Sequence, residues 1–181
     1  MKNLSILNGR RPFILIAVAC IGLLGYAYYA EHVLGLEPCP LCMLQRLGFM
    51  GMLLGALVAA AHSPGRFGRA VYAGLIGLSG GWGVTTAYRH VWLQNLPPDE
   101  VPDCGPGFAF MQDYGFTWAE IIVEAFTGSG QCAEIDWSFV GLSMPAWTLI
   151  WYVGLIILTL AAVIWGKPSG EIDRQLSSVD R

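Results

Sequence analysis

Four long apolar runs dominate the chain: Phe13 to Tyr29, Met43 to Ala61, Ala70 to Tyr88 and Ala146 to Trp165. Arg46, near the start of the second, is the one charge inside them. At about 1.5 Å rise per residue, each run can cross the roughly 30 Å hydrocarbon layer of a bilayer as a helix. A soluble protein could bury one such helix, but so short a chain has too little polar surface to cover four. The pattern predicts an all-α, polytopic membrane protein: a single domain over residues 1–181, with a four-transmembrane-helix bundle spanning about 12–30, 42–61, 70–89 and 145–165.

The intervening segments differ in character. Residues 62–69 hold Ser63-Pro64-Gly65 and predict a tight helical hairpin. Residues 31–41 form a short loop, and residues 90–144 a long one rich in Phe, Trp, Pro and Gly, without strand alternation. The long loop is too turn-rich for a core of its own and is expected to lie across the mouth of the bundle. Within it, Trp118, Ile121, Ile122, Ala125 and Phe126 recur at helical spacing, with Glu120 and Glu124 on the other face. Thr117 with Glu120 makes a capping box, and Phe116 with Ile121 fits a hydrophobic staple. This short amphipathic helix, ending near Gly128, is suited either to the interfacial plane or to packing on the bundle top. Inside the spans, Gly51/Gly55 and Gly77/Gly81, with Gly74 and Gly80 continuing the three-residue repeat, predict close helix contacts.

Charge sets the orientation. Lys2, Arg10, Arg11, Arg66, Arg69, Lys167, Arg174 and Arg181 all fall on one side of the spans. Glu31, Glu37 and the acidic residues of the long loop fall on the other. By the positive-inside rule both termini are cytoplasmic. Arg10-Arg11 before an apolar run resembles a secretory signal, but the length of the run and the lack of a small-x-small cleavage site favour a retained anchor. With 13% charged residues, a net charge of −3 and no outward basic patch, nucleic acid and extended anionic partners are excluded as targets. A monomer is the expected state.

Chemistry enters with the cysteines. Cys39-Pro40-Leu41-Cys42 lies at the predicted start of the second helix, where free amide donors and the helix dipole stabilise a thiolate. Pro38 and Pro40 restrict the backbone around Cys39. Cys104 and Cys132 lie in the long loop, 27 residues intervening. A bond between them would stabilise the loop by roughly 3 to 4 kcal/mol on the chain-entropy estimate. Alternatively, Cys104, among Pro97, Pro98, Pro102 and Gly105-Pro106-Gly107, sits on a segment that an external thiol can reach. Two redox pairs in series, two structural disulfides and a four-thiolate zinc site compete. The wide second spacing, the absence of a histidine at finger-like spacing and an oxidising exterior favour the redox reading, with no metal.

Arg46 follows Cys42 by four residues, on the same helical face. It can snorkel to the interface, hold a thiolate, or donate to a polar headgroup. His90, beside Arg89 at the outer end of the third span, is an interfacial histidine or a proton carrier in the same pocket. Cys20, inside the first span, is read as an apolar membrane cysteine outside the relay.

Taken together, the four spans, Glu37-Pro38-Cys39-Pro40-Leu41-Cys42 with Gln45-Arg46, the segment around His90, the Cys104 loop, Gly130-Gln131-Cys132-Ala133-Glu134 through Trp137, Gly141-Leu142 and Met144-Pro145-Ala146-Trp147 resemble the DsbB family of bacterial inner-membrane quinone reductases over essentially the whole chain. The resemblance implies that Cys104 and Cys132 accept electrons from a reduced periplasmic DsbA-like thioredoxin-fold protein. It implies that Cys39 and Cys42 pass them to ubiquinone or menaquinone, with Cys42, Arg46 and His90 at the headgroup and residues 31–41 and 90–144 in the periplasm. A paralogue serving a dedicated thioredoxin-like partner, and a non-enzymatic scaffold held by structural disulfides, are the alternatives.

Overall fold

The computed structural model describes residues 7–97, 99–101, 108–127, 132–135 and 137–166. Cys104, and the basic residues Lys2, Lys167, Arg174 and Arg181, lie outside them. Four long helices carry the apolar runs: α1 (Arg11–His32), α2 (Pro40–His62), α3 (Arg66–Gln94) and α6 (Met144–Trp165). Between α3 and α6 come two short helices, α4 (Phe108–Asp113) and α5 (Trp118–Thr127), and a two-stranded antiparallel hairpin, β1 (Ser138–Phe139) and β2 (Leu142–Ser143). The hairpin and α4 are additions to the predicted elements. The hairpin is too short for alternation to show, and its turn places Val140 and Gly141 at φ 53° and 77°.

Among the described residues three helices, α1, α2 and α6, are long and apolar enough to cross a membrane. Their outward residues are apolar too: Val18, Leu54, Ile157 and Ile164 are each at least 59% exposed. That is the inside-out pattern of a lipid-facing helix. The third predicted span is less apolar, because Gly, Ser and Thr replace aliphatic residues through its middle. It is also longer than predicted, starting within the expected 62–69 hairpin and continuing past His90 to Gln94. The α2–α3 turn is correspondingly tight: Ser63 ends α2 in the left-handed region at φ 45°, its N–H donating to the Ala59 carbonyl at 3.1 Å.

The chain divides into two compact units. One comprises Met1–Gly25, Phe49–Gly81 and Val153–Arg181, and the other Tyr26–Gly48 and Trp82–Tyr152. In the first, Phe13, Ile16, Cys20, Met52, Ala56 and Ile76 are buried. Glycine allows close helix approach there: a Cβ on Gly55 of α2 would meet Ile76 Cγ1 of α3 at 3.0 Å, and one on Gly80 of α3 would meet Ile156 Cγ1 of α6 at 2.9 Å. A Cβ added at Gly74 or Gly77 would have nothing within 4 Å, so only part of the glycine pattern is forced by a close neighbour. In the second unit, Tyr152 fills a notch that requires Gly83, where a Cβ would lie 2.1 Å from the ring.

Candidate functional site

The second unit holds the chemistry. Helix α2 begins at Pro40, a residue whose missing N–H costs nothing in the first turn. Cys39 is therefore the N-cap: its sulfur accepts the Cys42 N–H at 3.4 Å, and its carbonyl accepts the Met43 N–H at 3.2 Å. The Cys-x-x-Cys spacing places the second sulfur in the same turn. Cys39 Sγ donates to Cys42 Sγ at 2.9 Å, longer than the ~2.05 Å of a covalent bond. Cys39 is buried and Cys42 half-buried.

Cys132 is fully buried in one apolar cluster with Cys39, Leu41, Leu44 and Leu93. Its side chain hydrogen-bonds to Cys39. That contact, then the one with Cys42 and burial, pushes the Cys39 thiol well above the ordinary thiol range. Cys39 is thus held protonated, as the donor to Cys42.

Helix α5 closes over this cluster. Its predicted capping box forms: Thr117 N–H and hydroxyl both donate to the Glu120 carboxylate at 2.8 Å, and Glu120 N–H returns to Thr117 Oγ1 at 3.3 Å. The two Thr117 donors, the backbone one first, hold the Glu120 carboxyl below its ordinary value. Ile122 and Phe126 pack against the cysteine cluster, whereas Trp118 and Val123 remain exposed. Of the two placements expected for the amphipathic face, packing onto the bundle is the one seen, through Ile122 and Phe126. Arg89 Nε donates to the Phe126 carbonyl at 3.1 Å, satisfying the end of the helix.

His90 reaches the cysteines from α3, 51 residues away in sequence. Its Nε2 lies 3.8 Å from Cys39 Sγ, and its Nδ1 lies 3.1 Å from Gln45 Nε2. Gln45 Oε1 in turn accepts the Thr148 hydroxyl at 2.7 Å, and the Tyr152 hydroxyl donates to the Gln45 carbonyl. Gln45, buried and polar within an apolar helix, is thereby satisfied and orients the imidazole. A turn of its amide reverses the chain of donors, since Thr148 also has the Pro145 carbonyl at 2.9 Å to donate to.

Arg46 is placed differently from the expectation of a guanidinium on the Cys42 thiolate. It forms an ion pair with Glu31 of α1, donates from Nη2 to the Ala27 carbonyl at 3.3 Å, and lies 5.0 Å over the Tyr28 ring. The reason is charge: a buried cation takes the nearest carboxylate. Glu31, Gln45, Thr148 and Tyr152 are the site residues that sequence reasoning missed. Two had a signal: Gln45, a polar residue beside Arg46 in the motif that carries the resemblance, and Glu31, an acid at the end of an apolar run. Of the predicted site residues, Cys39, Cys42, Cys132 and His90 come together, Arg46 is turned to α1, and Cys104 lies outside the described residues.

Residues 9–162 match the family model described as "Disulfide bond formation protein DsbB". Among relatives named Disulfide bond formation protein B, that of Marinobacter nauticus is 46% identical over 87% of this chain and 94% of its own length. That of Chromobacterium violaceum is 45% identical over the same shares. The Acinetobacter baumannii protein is 46% identical over 81% of this chain and 85% of its own. Similarity of this extent, carried through every helix that builds the cysteine cluster, makes the chain a member of the DsbB family of disulfide bond formation proteins.

Proposed function

We propose that the protein oxidises a reduced periplasmic DsbA-like dithiol protein and passes two electrons through Cys104/Cys132 and Cys39/Cys42 to ubiquinone or menaquinone. The family makes it a disulfide-forming oxidoreductase of the membrane; the partner, the route and the acceptor are the proposal. So are its place in the bacterial inner membrane, α3 as the fourth span, cytoplasmic termini, periplasmic redox loops and a monomeric state.

The observation that carries the reading is the Cys132 side chain hydrogen-bonded to Cys39 at the capped start of α2. In the proposed cycle a donor thiolate attacks Cys104, breaking the Cys104–Cys132 bond and releasing Cys132 as thiolate. Cys132 attacks Cys39, forming Cys132–Cys39 and releasing Cys42. The donor's second thiol resolves its mixed disulfide, leaving as a disulfide and freeing Cys104. Cys104 then attacks Cys132, restoring the loop disulfide and leaving Cys39 and Cys42 as a dithiol. Cys42 carries the outgoing charge, stabilised by the Cys39 donor and the helix N-terminus.

The donor set fits a quinone headgroup. Cys42 is half-buried rather than sealed, His90 supplies an imidazole beside the cysteines, and Arg46 has five N–H donors, of which Glu31 and Ala27 take part. Cys42, His90 and Arg46 would hold it; when bound, a quinone supplies a two-electron, two-proton acceptor. His90, held by Gln45, is placed to pass a proton.

The test is quinone reduction in detergent or proteoliposomes with a reduced DsbA-like donor. Turnover is expected to fall to background in Cys42→Ser and Cys104→Ser. In Arg46→Ala, quinone KM is expected to rise about tenfold, or ~1.4 kcal/mol. Turnover surviving Cys42→Ser, or folded wild type that reduces neither quinone, would overturn the proposal.

A further inference from the structure

We propose that the dithiol form of Cys39 and Cys42, together with His90, is a binding site for one thiophilic divalent cation such as Zn2+. Sequence spacing argued against a metal because no histidine stands near the cysteines. The fold supplies one. Cys39 Sγ, Cys42 Sγ and a His90 ring nitrogen all lie within 4.8 Å of one another.

Tetrahedral zinc, with bonds of ~2.3 Å to sulfur and ~2.0 Å to nitrogen, requires donor–donor edges of about 3.5 to 3.8 Å. The Cys39–His90 edge is already 3.8 Å. The Cys39–Cys42 edge, at 2.9 Å, must open by about 0.9 Å, within reach of a side-chain rotation in the first helical turn. The other imidazole nitrogen is held by Gln45, itself held by Thr148, which is the outer-shell support that metal-bound histidines use. For Nε2 to present its lone pair, the proton sits on Nδ1 and the Gln45 amide turns to accept it. Two thiolates and an imidazole select Zn2+ or Cd2+ over Mg2+ or Ca2+. A fourth position is left for water or for Cys132, which lies against Cys39.

Binding releases the two thiol protons and moves no electrons, so only the reduced pair binds and the Cys39–Cys42 disulfide does not. The occupancy stands on the donor geometry alone. Its consequence rests on the redox reading above: a bound cation holds the pair reduced, withholds both sulfurs from re-oxidation, and makes the protein sensitive to metal.

The experiment uses the full chain in detergent with Cys20→Ala, Cys104→Ser and Cys132→Ser, leaving Cys39 and Cys42 as its thiols. After reduction it is titrated with Cd2+ and followed by thiolate-to-cadmium absorption. One equivalent is expected to bind. Binding is expected to be lost after diamide oxidation and in Cys42→Ser. His90→Gln is expected to weaken it by more than about tenfold, the loss that even an outer-shell partner causes. No uptake while both thiols react with maleimide, or equal affinity in His90→Gln of unchanged circular dichroism, would overturn the inference. Metal-free turnover of the wild type is measured separately and reports on the redox reading, so either can fail without the other.

Discussion

Two buried arginines divide the molecule between them. Arg46, in the unit that holds Cys39 and Cys42, meets the carboxylate of Glu31 and the ring of Tyr28. Arg69, in the other unit, is 2% exposed and donates to three main-chain carbonyls: Gly9 at 3.2 Å, Leu7 at 3.1 Å and Ala162 at 2.6 Å. It ties the segment before α1 to the last turn of α6, where the Ala162 carbonyl accepts both Arg69 and the Gly166 N–H, the latter at 3.1 Å. Read in sequence, Arg69 is a topology-setting surface charge and Arg46 a reactive one. The structure makes Arg69 a strut. What separates the two is the partner: Arg46 meets a carboxylate whose side chain is 28% exposed, whereas Arg69 meets main-chain carbonyls inside an apolar unit.

The largest effect should come from breaking the strut. Arg69→Leu removes the donor to the Leu7 and Gly9 carbonyls, and at about 1 to 3 kcal/mol for each buried acceptor left unsatisfied a loss of ~3 kcal/mol in unfolding stability is expected. It should be measured by denaturant titration in detergent, with turnover per folded molecule unchanged. A raised quinone KM in Arg69→Leu, as expected for Arg46→Ala, would erase the distinction between the two arginines.

The same small substitution in each unit sharpens the comparison. Gly83→Ala drives a methyl into the Tyr152 ring, whose hydroxyl holds the Gln45 backbone beneath His90. Overpacking predicts a loss of about 2 kcal/mol together with reduced turnover. Gly55→Ala, meeting Ile76 at 3.0 Å, should cost less than ~2 kcal/mol and leave turnover per folded molecule intact. Equal effects on turnover would mean that the two units are not chemically separate.

The smallest effect concerns the lid over the cysteines. Because Thr117 holds the Glu120 carboxyl below its ordinary 4.5, the capping box contributes fully above that pH and is lost as pH falls through the depressed value. Glu120→Gln should remove this acid sensitivity and speed amide exchange in the first turn of α5. Unchanged exchange would mean that α5 is held by its packing and by Arg89 rather than by the capping box.

Local features were legible in the amino-acid sequence because their causes are local. Apolar runs set the long helices to within a few residues at most ends, the Thr117–Glu120 spacing sets a capping box, and Cys-x-x-Cys before a helix puts two sulfurs in one turn. The glycine repeat was legible only as a possibility, since spacing does not say which face meets a neighbour: a Cβ on Gly55 or Gly80 would meet one within 3.0 Å, and a Cβ on Gly74 or Gly77 would not. Tertiary structure alone decided the rest of the site. Bringing His90 to Cys39 across 51 residues, seating Cys132 on the same sulfur and pairing Arg46 with Glu31 depend on helix rotation and register. Those are set by the packing of many side chains at once, and no spacing along the chain encodes them.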